Sequence, residues 1–307
     1  EIKYKQKIRG VILNGTNKGK IVDFSNEYTY TGMLKQKYHK GDKVLLNGSE
    51  SNVGSSIQSV KRDTELVVLL GLLIFALMTI AGKKGVLTII TVGINIVIFS
   101  VGFLKSGDDA DVVAICNKMV IFFAVVTLIG LNGLHRKTWA ALLSTLCILA
   151  MIMGIFEVVI SHTAELDYST MEYLGSIDNP DEIFHAEILL SGLGAIMDVA
   201  VAISAALSEI VTKRPEVTFR ELFRSGREIG YDIMGTMINV LLLSYFCGSI
   251  PLILIKMINH YGFTEIFKFH IPFELIQFLM GSIAILISIP ISLAVSVRLL
   301  KGKEELA

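Results

Sequence analysis

Seven long apolar segments constrain the fold of this 307-residue chain more than any other feature. Each is long enough to cross the hydrocarbon core of a bilayer, which is about 30 Å thick and takes about 20 residues of helix to span. The predicted spans are 64–81, 86–104, 110–131, 138–161, 184–210, 229–256 and 273–299. Because 52% of all residues are hydrophobic, the sequence argues against a soluble enzyme and predicts an all-α polytopic membrane domain in the lipid bilayer.

The first 62 residues have a different pattern. Short β-type runs, KIRGVILN, GKIVDF, YTYTG and DKVLL, are separated by turn signals such as Asn14-Gly15 and Asn47-Gly48. This alternation predicts a small antiparallel, β-barrel-like domain. The expected organisation is a β-rich domain over 1–62 and a helical transmembrane domain over 63–307.

The predicted β-rich domain is basic, with twelve Lys or Arg and five Asp or Glu in the first 62 residues. Tyrosines are interleaved with these basic residues, a combination that is also found in nucleic-acid-binding proteins. Outside a cell, however, the polyanions at hand are lipid headgroups and envelope polymers, so we expect an anionic cell-envelope polymer and no nucleic acid as a partner. A simpler interpretation stays open, in which these charges keep the domain soluble and position it.

Lysine and arginine are enriched in every other connection between the predicted spans. The positive-inside rule therefore places those connections and the C-terminus in the cytoplasm of a multi-pass cell-membrane protein, and the β-rich domain outside the cytoplasm. An external domain needs translocation, and the chain begins at Glu1 with the basic run KYKQK close behind. We therefore expect an upstream signal or anchor helix.

The fifth predicted span contains an acidic stripe lined by small residues. At 100° per residue its members share one helix face: Glu187, Ser191, Gly194, Asp198, Ala202, Ala205 and Glu209. At about 1.5 Å per residue its three carboxylates are about 16 Å apart, so Asp198 is the deep one. A charged carboxylate at the bilayer centre costs at least about 2.5 kcal/mol, so we expect Asp198 to face the bundle interior or water.

The sixth predicted span has a matching polar face, formed by Asp232, Thr236 and Asn239 and flanked by Gly230 and Gly235. We expect the two faces to meet. The predicted ion- or substrate-binding residues are Asp198, Asp232, Glu209, Asn239 and Thr236. The predicted helix-packing residues are Gly192, Gly194, Ala195, Ala202, Gly230 and Gly235. The alternative for Asp198 is a hydrogen bond to Asn239 or Thr236 that only fixes the packing.

The run GLGAIMDVAVAISAALSEI, followed by LFRSGREIGYDIMGTMINVLLLSYFCGSIPLIL, resembles the YibE/F-like multi-transmembrane proteins of Gram-positive bacteria. In the pattern of that family an arginine stands where this chain has Tyr231, so no role of that arginine is carried over. The resemblance implies an extracytoplasmic head on a helical membrane domain, in some cases alongside a shorter partner of the same family. The partner that we expect is a second copy of this chain, in a homo-oligomer, or a related YibE/F-like membrane protein. It implies no established activity.

Two functions remain open on the sequence. The first is a secondary transporter or permease for a cation or small cationic solute, which uses the intramembrane carboxylates. The alternative is a non-catalytic membrane subunit or scaffold that pairs with a related membrane protein. An aspartyl intramembrane protease is disfavoured, because Asp198 is expected about three helical turns deeper than Asp232. We predict no enzyme activity, no cofactor and no metal, since the cysteines and histidines lack the spacing of metal ligands.

Overall fold

The structure, a computed structural model, describes residues 3–29, 36–47, 56–104, 112–162, 168, 180–269 and 271–301. The chain divides into two compact units, Glu1–Ala81 and Gly82–Ala307. The first contains the β-strands and the first long helix, and the second contains the remaining helices. This confirms a mostly helical fold with a small β-rich region at the N-terminus.

The first unit contains two antiparallel strand pairs. Strands β1 (Lys3–Val11) and β2 (Ile21–Thr29) form a hairpin, and β3 (Val44–Asn47) pairs with β4 (Ser56–Val60). The turn of the first hairpin places Gly15 and Gly19 at φ 81° and 88°, a left-handed conformation that glycine adopts without strain. The later part of the predicted run YTYTG lies outside the described residues.

Side-chain bonds to the backbone hold the segment after β2 against the hairpin. Gln6 donates a 2.7 Å bond to the Tyr38 carbonyl and accepts a 3.2 Å bond from the Tyr38 amide, while Asn26 donates to the Gln36 carbonyl. Asn26 and Tyr38 are both buried. These side chains therefore provide hydrogen-bond partners for backbone amide and carbonyl groups that have no partner on a neighbouring strand.

All seven predicted spans are helices long and apolar enough to cross a membrane. They are α1 (Asp63–Ala81), α2 (Lys83–Leu104), α3 (Val112–Asn132), α4 (Arg136–His162), α5 (Pro180–Lys213), α6 (Phe219–Ile258) and α8 (Ile271–Lys301). A short helix that the sequence did not predict, α7 (Phe263–Phe269), lies between the last two.

Helix α6 begins ten residues earlier than predicted, because a basic segment expected to be a loop is its first part. Thr218 caps this helix: its hydroxyl accepts from the Glu221 amide at 3.3 Å, and the Glu221 carboxylate accepts from the Thr218 amide at 3.1 Å. This reciprocal capping box satisfies backbone donors that a helix start leaves free. At about 1.5 Å per residue, the helix is roughly 60 Å long and exceeds the hydrocarbon thickness.

Helix α5 is the central helix of the second unit. Helices α3, α4, α8 and α6 each contact the next in that order, and all four contact α5. Among the described helices no comparable contact joins α3 to α6, so the ring around α5 is open between those two. One apolar cluster joins α5 to α3, α4 and α8, and a second joins α5 to α6 and α8.

Glycines let α6 and α8 approach closely. A Cβ at Gly226 would collide with Leu293, and one at Gly230 would lie 2.6 Å from Ile289 Cγ2. In the other direction, a Cβ at Gly281 of α8 would lie 2.9 Å from Leu241 Cδ1. Small residues at these contacts are the usual means by which membrane helices pack tightly.

Candidate functional site

The candidate site is the stripe of α5 that includes Asp198. Along this stripe Glu187, Gly194, Asp198 and Glu209 are exposed, and Ser191 is half-buried. On one side of it Ala195 joins the cluster shared with α6 and α8, and on the other side Met197 and Val201 join the cluster shared with α3 and α4. The stripe therefore faces the open part of the ring, between α3 and α6.

Asp198 has no hydrogen-bond or ion-pair partner among the described residues. Its candidate partners are engaged elsewhere: Thr236 donates a 2.8 Å bond to the Ile233 carbonyl, and Asn239 donates a 2.8 Å bond to the Gly235 carbonyl. These are bonds within α6. Among the described residues, no hydrogen bond joins Asp198 to another helix, so none gives it a role in helix packing. In a bilayer this carboxylate faces lipid, water or another protein chain.

Glu209 is paired within its own helix. Its Oε1 lies 2.6 Å from Lys213 Nζ, one turn further along α5, and both side chains are well exposed. An exposed pair of this kind contributes about 0.3–0.5 kcal/mol. Because the lysine neutralises this carboxylate, Glu209 does not add a free negative charge to the stripe.

Asp232 also lies on an exposed helix face, with no bond or ion pair among the described residues. On the turn before Asp232, Arg227 lies 3.8 Å from Glu228 and stacks over the ring of Tyr231. Tyr231, Thr236 and Asn239 share this exposure. The polar side of α6 is therefore turned away from its packed side.

Two contacts give the level of α5 against α6. Leu207 lies against Gly226, and the Tyr245 and Ser191 side chains lie close to each other. Interpolation between them puts Asp198 level with about residues 235–238, and Asp232 only about 7 Å away along the axis. This axial offset is smaller than the three turns expected from the sequence, because α6 begins at Phe219 and Asp232 lies well inside it.

The predicted packing residues divide into two groups. Gly192 and Gly230 are buried, and Ala195 and Ala202 are half-buried. A Cβ at Gly194 or Gly235 would meet open space within 4 Å, so neither glycine is needed for contacts between the described helices. Gly226 and Gly281, which are not among the predicted packing residues, make the close contacts with α8 and α6.

A second polar group at one end of the bundle was not predicted as a site. Glu157, near the end of α4, lies 3.6 Å from His185 in the first turns of α5. Tyr168 donates a 2.5 Å bond to Asp181 Oδ1. Burial, followed by this bond, raises the pKa of the Tyr168 phenol well above its usual value.

A third polar contact joins α6 to α8. The Ser249 hydroxyl donates a 2.6 Å bond to Glu274 Oε1, while Glu274 Oε2 is buried without a hydrogen-bond partner among the described residues. In the described part of the chain, no group of three His, Cys, Asp or Glu is arranged to hold a metal ion.

The basic row of β1 is partly neutralised by its own hairpin. Lys5 lies 4.0 Å from Glu27, and Arg9 lies 2.7 Å from Asp23 on the neighbouring strand. The Arg9 guanidinium holds the pKa of the Asp23 carboxyl below its usual value through a hydrogen bond. Fewer charges are therefore free for a polyanion than the sequence count implies.

Comparison with known proteins assigns nearly the whole chain to one family. Residues 69–302 match the family model described as YibE/F-like protein, and residues 1–60 match the YibE/F family N-terminal domain. No curated protein and no solved structure gives a significant match. The two family matches meet near the junction between the β-strands and α1. The chain therefore belongs to the YibE/F-like family.

Proposed function

We propose that this protein is a membrane permease for a cation or a small cationic solute, with Asp198 as the carboxylate that binds it. The observation that carries the proposal is the position of Asp198. It lies in the middle of a membrane-length helix, on an exposed face among small residues, and the described residues offer it no partner.

The energetic argument concerns what covers this carboxylate in a bilayer. Facing lipid, a charged aspartate at the centre of a helix costs about 2.5–3.5 kcal/mol on insertion scales. A passing cation, a proton or a water-filled path would relieve this penalty. Asp232 lies within about 7 Å along the axis and supplies a second carboxylate at nearly the same depth. Two acids at one level favour cations over anions as the transported species.

Because the ring around α5 is open between α3 and α6, we propose that a second membrane chain completes the path. Either another copy or a related family member would supply that surface. Small residues along the stripe allow such a helix to approach closely.

Flux measurement with purified protein in liposomes tests the permease. Dissipation of a pH gradient is followed with Na⁺, K⁺, tetramethylammonium and spermidine outside. We expect flux above that of empty liposomes, and about tenfold or greater loss in Asp198→Asn and Asp198→Ala. Asp63→Asn changes an exposed carboxylate at the start of α1 and serves as the matched control. Full activity of both Asp198 variants would remove that carboxylate from the mechanism.

The second candidate is a non-catalytic membrane subunit that pairs with a related membrane protein. It is favoured by the exposed polar side of α6, because amide and hydroxyl groups on membrane helices commonly form contacts between chains. Absence of flux with every cation, together with co-purification of a second membrane protein that Asn239→Leu abolishes, would favour this candidate over the permease.

The orientation is also part of the proposal, with the β-rich domain outside the cytoplasm and the C-terminus inside. It is supported by the alternating basic connections. Reporter fusions test it: a C-terminal fluorescent protein should mature, and an alkaline phosphatase fused there should stay inactive. An active phosphatase and a non-fluorescent protein at the C-terminus would show the opposite orientation.

A further inference from the structure

A cavity of about 1010 Å³ lies between α3, α4 and α5. This is at the upper end of the range for small-molecule sites, about 300–1,000 Å³. Along α5, its lining residues His185 and Leu189 are about 20 Å and about 14 Å from Asp198, so the cavity is separate from the proposed cation path. The cavity therefore needs its own explanation.

The cavity has two chemically different parts. Its body is apolar and includes Val120, Leu149 and Met153. Its polar groups are gathered where α4 ends and α5 begins, and they include Glu157 and His185. A ligand that fills both parts must be amphiphilic, with a hydrocarbon body and a polar head.

The charges at the polar end of the cavity determine which head group of a ligand can bind there. Glu157, Asp181 and Glu182 all line the cavity, and none of the described lining residues is Lys or Arg. Among the described residues, Asp181 accepts a hydrogen bond from Tyr168 at Oδ1 and none at Oδ2. At 3.6 Å, His185 is too far from Glu157 for a hydrogen bond. Within the described part of the chain, Glu157 and Asp181 therefore retain acceptor capacity, and an anionic head would be repelled.

The imidazole of His185 is held in place at this end. Its ring packs edge-on against Phe156 with the centroids 4.5 Å apart, and its Nε2 is buried without a hydrogen-bond partner among the described residues. A buried polar atom without a partner costs about 1–3 kcal/mol. A polar head group in the cavity could supply the missing partner.

We infer that this cavity binds a small amphiphilic cation, a molecule with a hydrocarbon body and an ammonium head paired with Glu157 and Asp181. The apolar lining takes the body, and the two carboxylates take the charge. This inference does not rest on the proposed permease activity.

Equilibrium dialysis with the full chain in lipid nanodiscs tests the inference, with empty nanodiscs subtracted. The probes are octylammonium, octanol and octanoate, which share one chain and differ in the head. We expect octylammonium to bind on the order of tenfold more tightly than octanol, and octanoate not to bind measurably. Equal binding of octylammonium and octanol would overturn the assigned head group.

Two kinds of variant complete the test. The double variant Glu157→Gln with Asp181→Asn should lose octylammonium binding about tenfold and keep octanol binding. Glu187→Gln, an exposed carboxylate on the same helix, is the matched control and should bind like the wild type. Ala150→Phe narrows the cavity from an exposed lining position and should reduce the binding of both probes. Unchanged octylammonium binding in the double variant, or in Ala150→Phe, would contradict the inference.

Discussion

Gly230 of α6 and Ile289 of α8 are in such close contact that a Cβ on the glycine would lie 2.6 Å from Ile289 Cγ2. Real Cβ atoms do not approach carbon so closely, so any larger residue at position 230 must move one of the two helices or the isoleucine. This contact lies within the apolar cluster that joins α5, α6 and α8. It links the helix carrying Asp232 to the packed centre of the second unit.

Substitution of this glycine should therefore destabilise the protein. We expect Gly230→Ala to lower stability by about 1–3 kcal/mol through overpacking. Gly235→Ala is the matched control, because a Cβ there meets open space and alanine favours a helix by about 0.5–1 kcal/mol. Thermal denaturation in detergent measures both. If Gly230→Ala were as stable as Gly235→Ala, the close α6–α8 contact would be wrong.

The bond between Ser249 and Glu274 should also contribute to stability. Ser249→Ala removes the donor to Oε1 of a carboxyl group whose Oε2 already has no partner among the described residues. The loss should be about 1–3 kcal/mol. Ser244→Ala, at an exposed position on the same helix, should have little effect. Equal denaturation midpoints for the two alanine variants would show that the bond contributes nothing.

Tyr168 predicts a loss of stability at alkaline pH. Its pKa is raised in the folded chain, so the folded state favours the neutral phenol. The associated stability is fully present below the unfolded pKa of about 10 and is lost as the pH rises above it. We expect Tyr168→Phe to be less stable than the wild type at pH 8 by about 1 kcal/mol, and to show a shallower decline above pH 10. If the stability of the wild type and of Tyr168→Phe declined in parallel above pH 10, the raised pKa of the Tyr168 phenol would be contradicted. Tyr261→Phe, which changes an exposed tyrosine, is the control.

His260, just after α6, has a φ of 66°, in the left-handed region that glycine adopts without strain. We expect His260→Gly to raise stability by about 0.5–1 kcal/mol. Asn259→Gly, one residue earlier at φ −83°, should not stabilise, because that residue already has an ordinary conformation and its side chain donates to the Ile255 carbonyl. If Asn259→Gly raised stability and His260→Gly did not, the backbone strain would not lie at His260.

The long apolar runs made the seven spans predictable, since hydrocarbon tolerates little else at that length. The start of α6 was missed because its first turns are basic, although the Thr218 to Glu221 capping pattern was present in the sequence. Helix α7 was missed because it is short and mixed in polarity.

The site was predictable only in part. Helical periodicity placed Asp198 among small residues on one face, but periodicity within one helix does not say which neighbours that face meets. The expected contact with Thr236 and Asn239 therefore depended on packing that the sequence did not specify. In the same way, Glu157 and His185 come from different helices, and only the fold brings them to one cavity.

Solvent access at position 198 is the most direct test of the proposed cation path. Asp198→Cys would be made after replacing Cys116, Cys147 and Cys247 by alanine, and its modification by a charged, membrane-impermeant thiol reagent followed in sealed vesicles. Val240→Cys, at an exposed apolar position of α6, is the control. We predict modification at 198 on the order of tenfold faster than at 240, because the reactive thiolate forms in water and not in hydrocarbon. A thiol at 198 as unreactive as the one at 240 would contradict a water-accessible path.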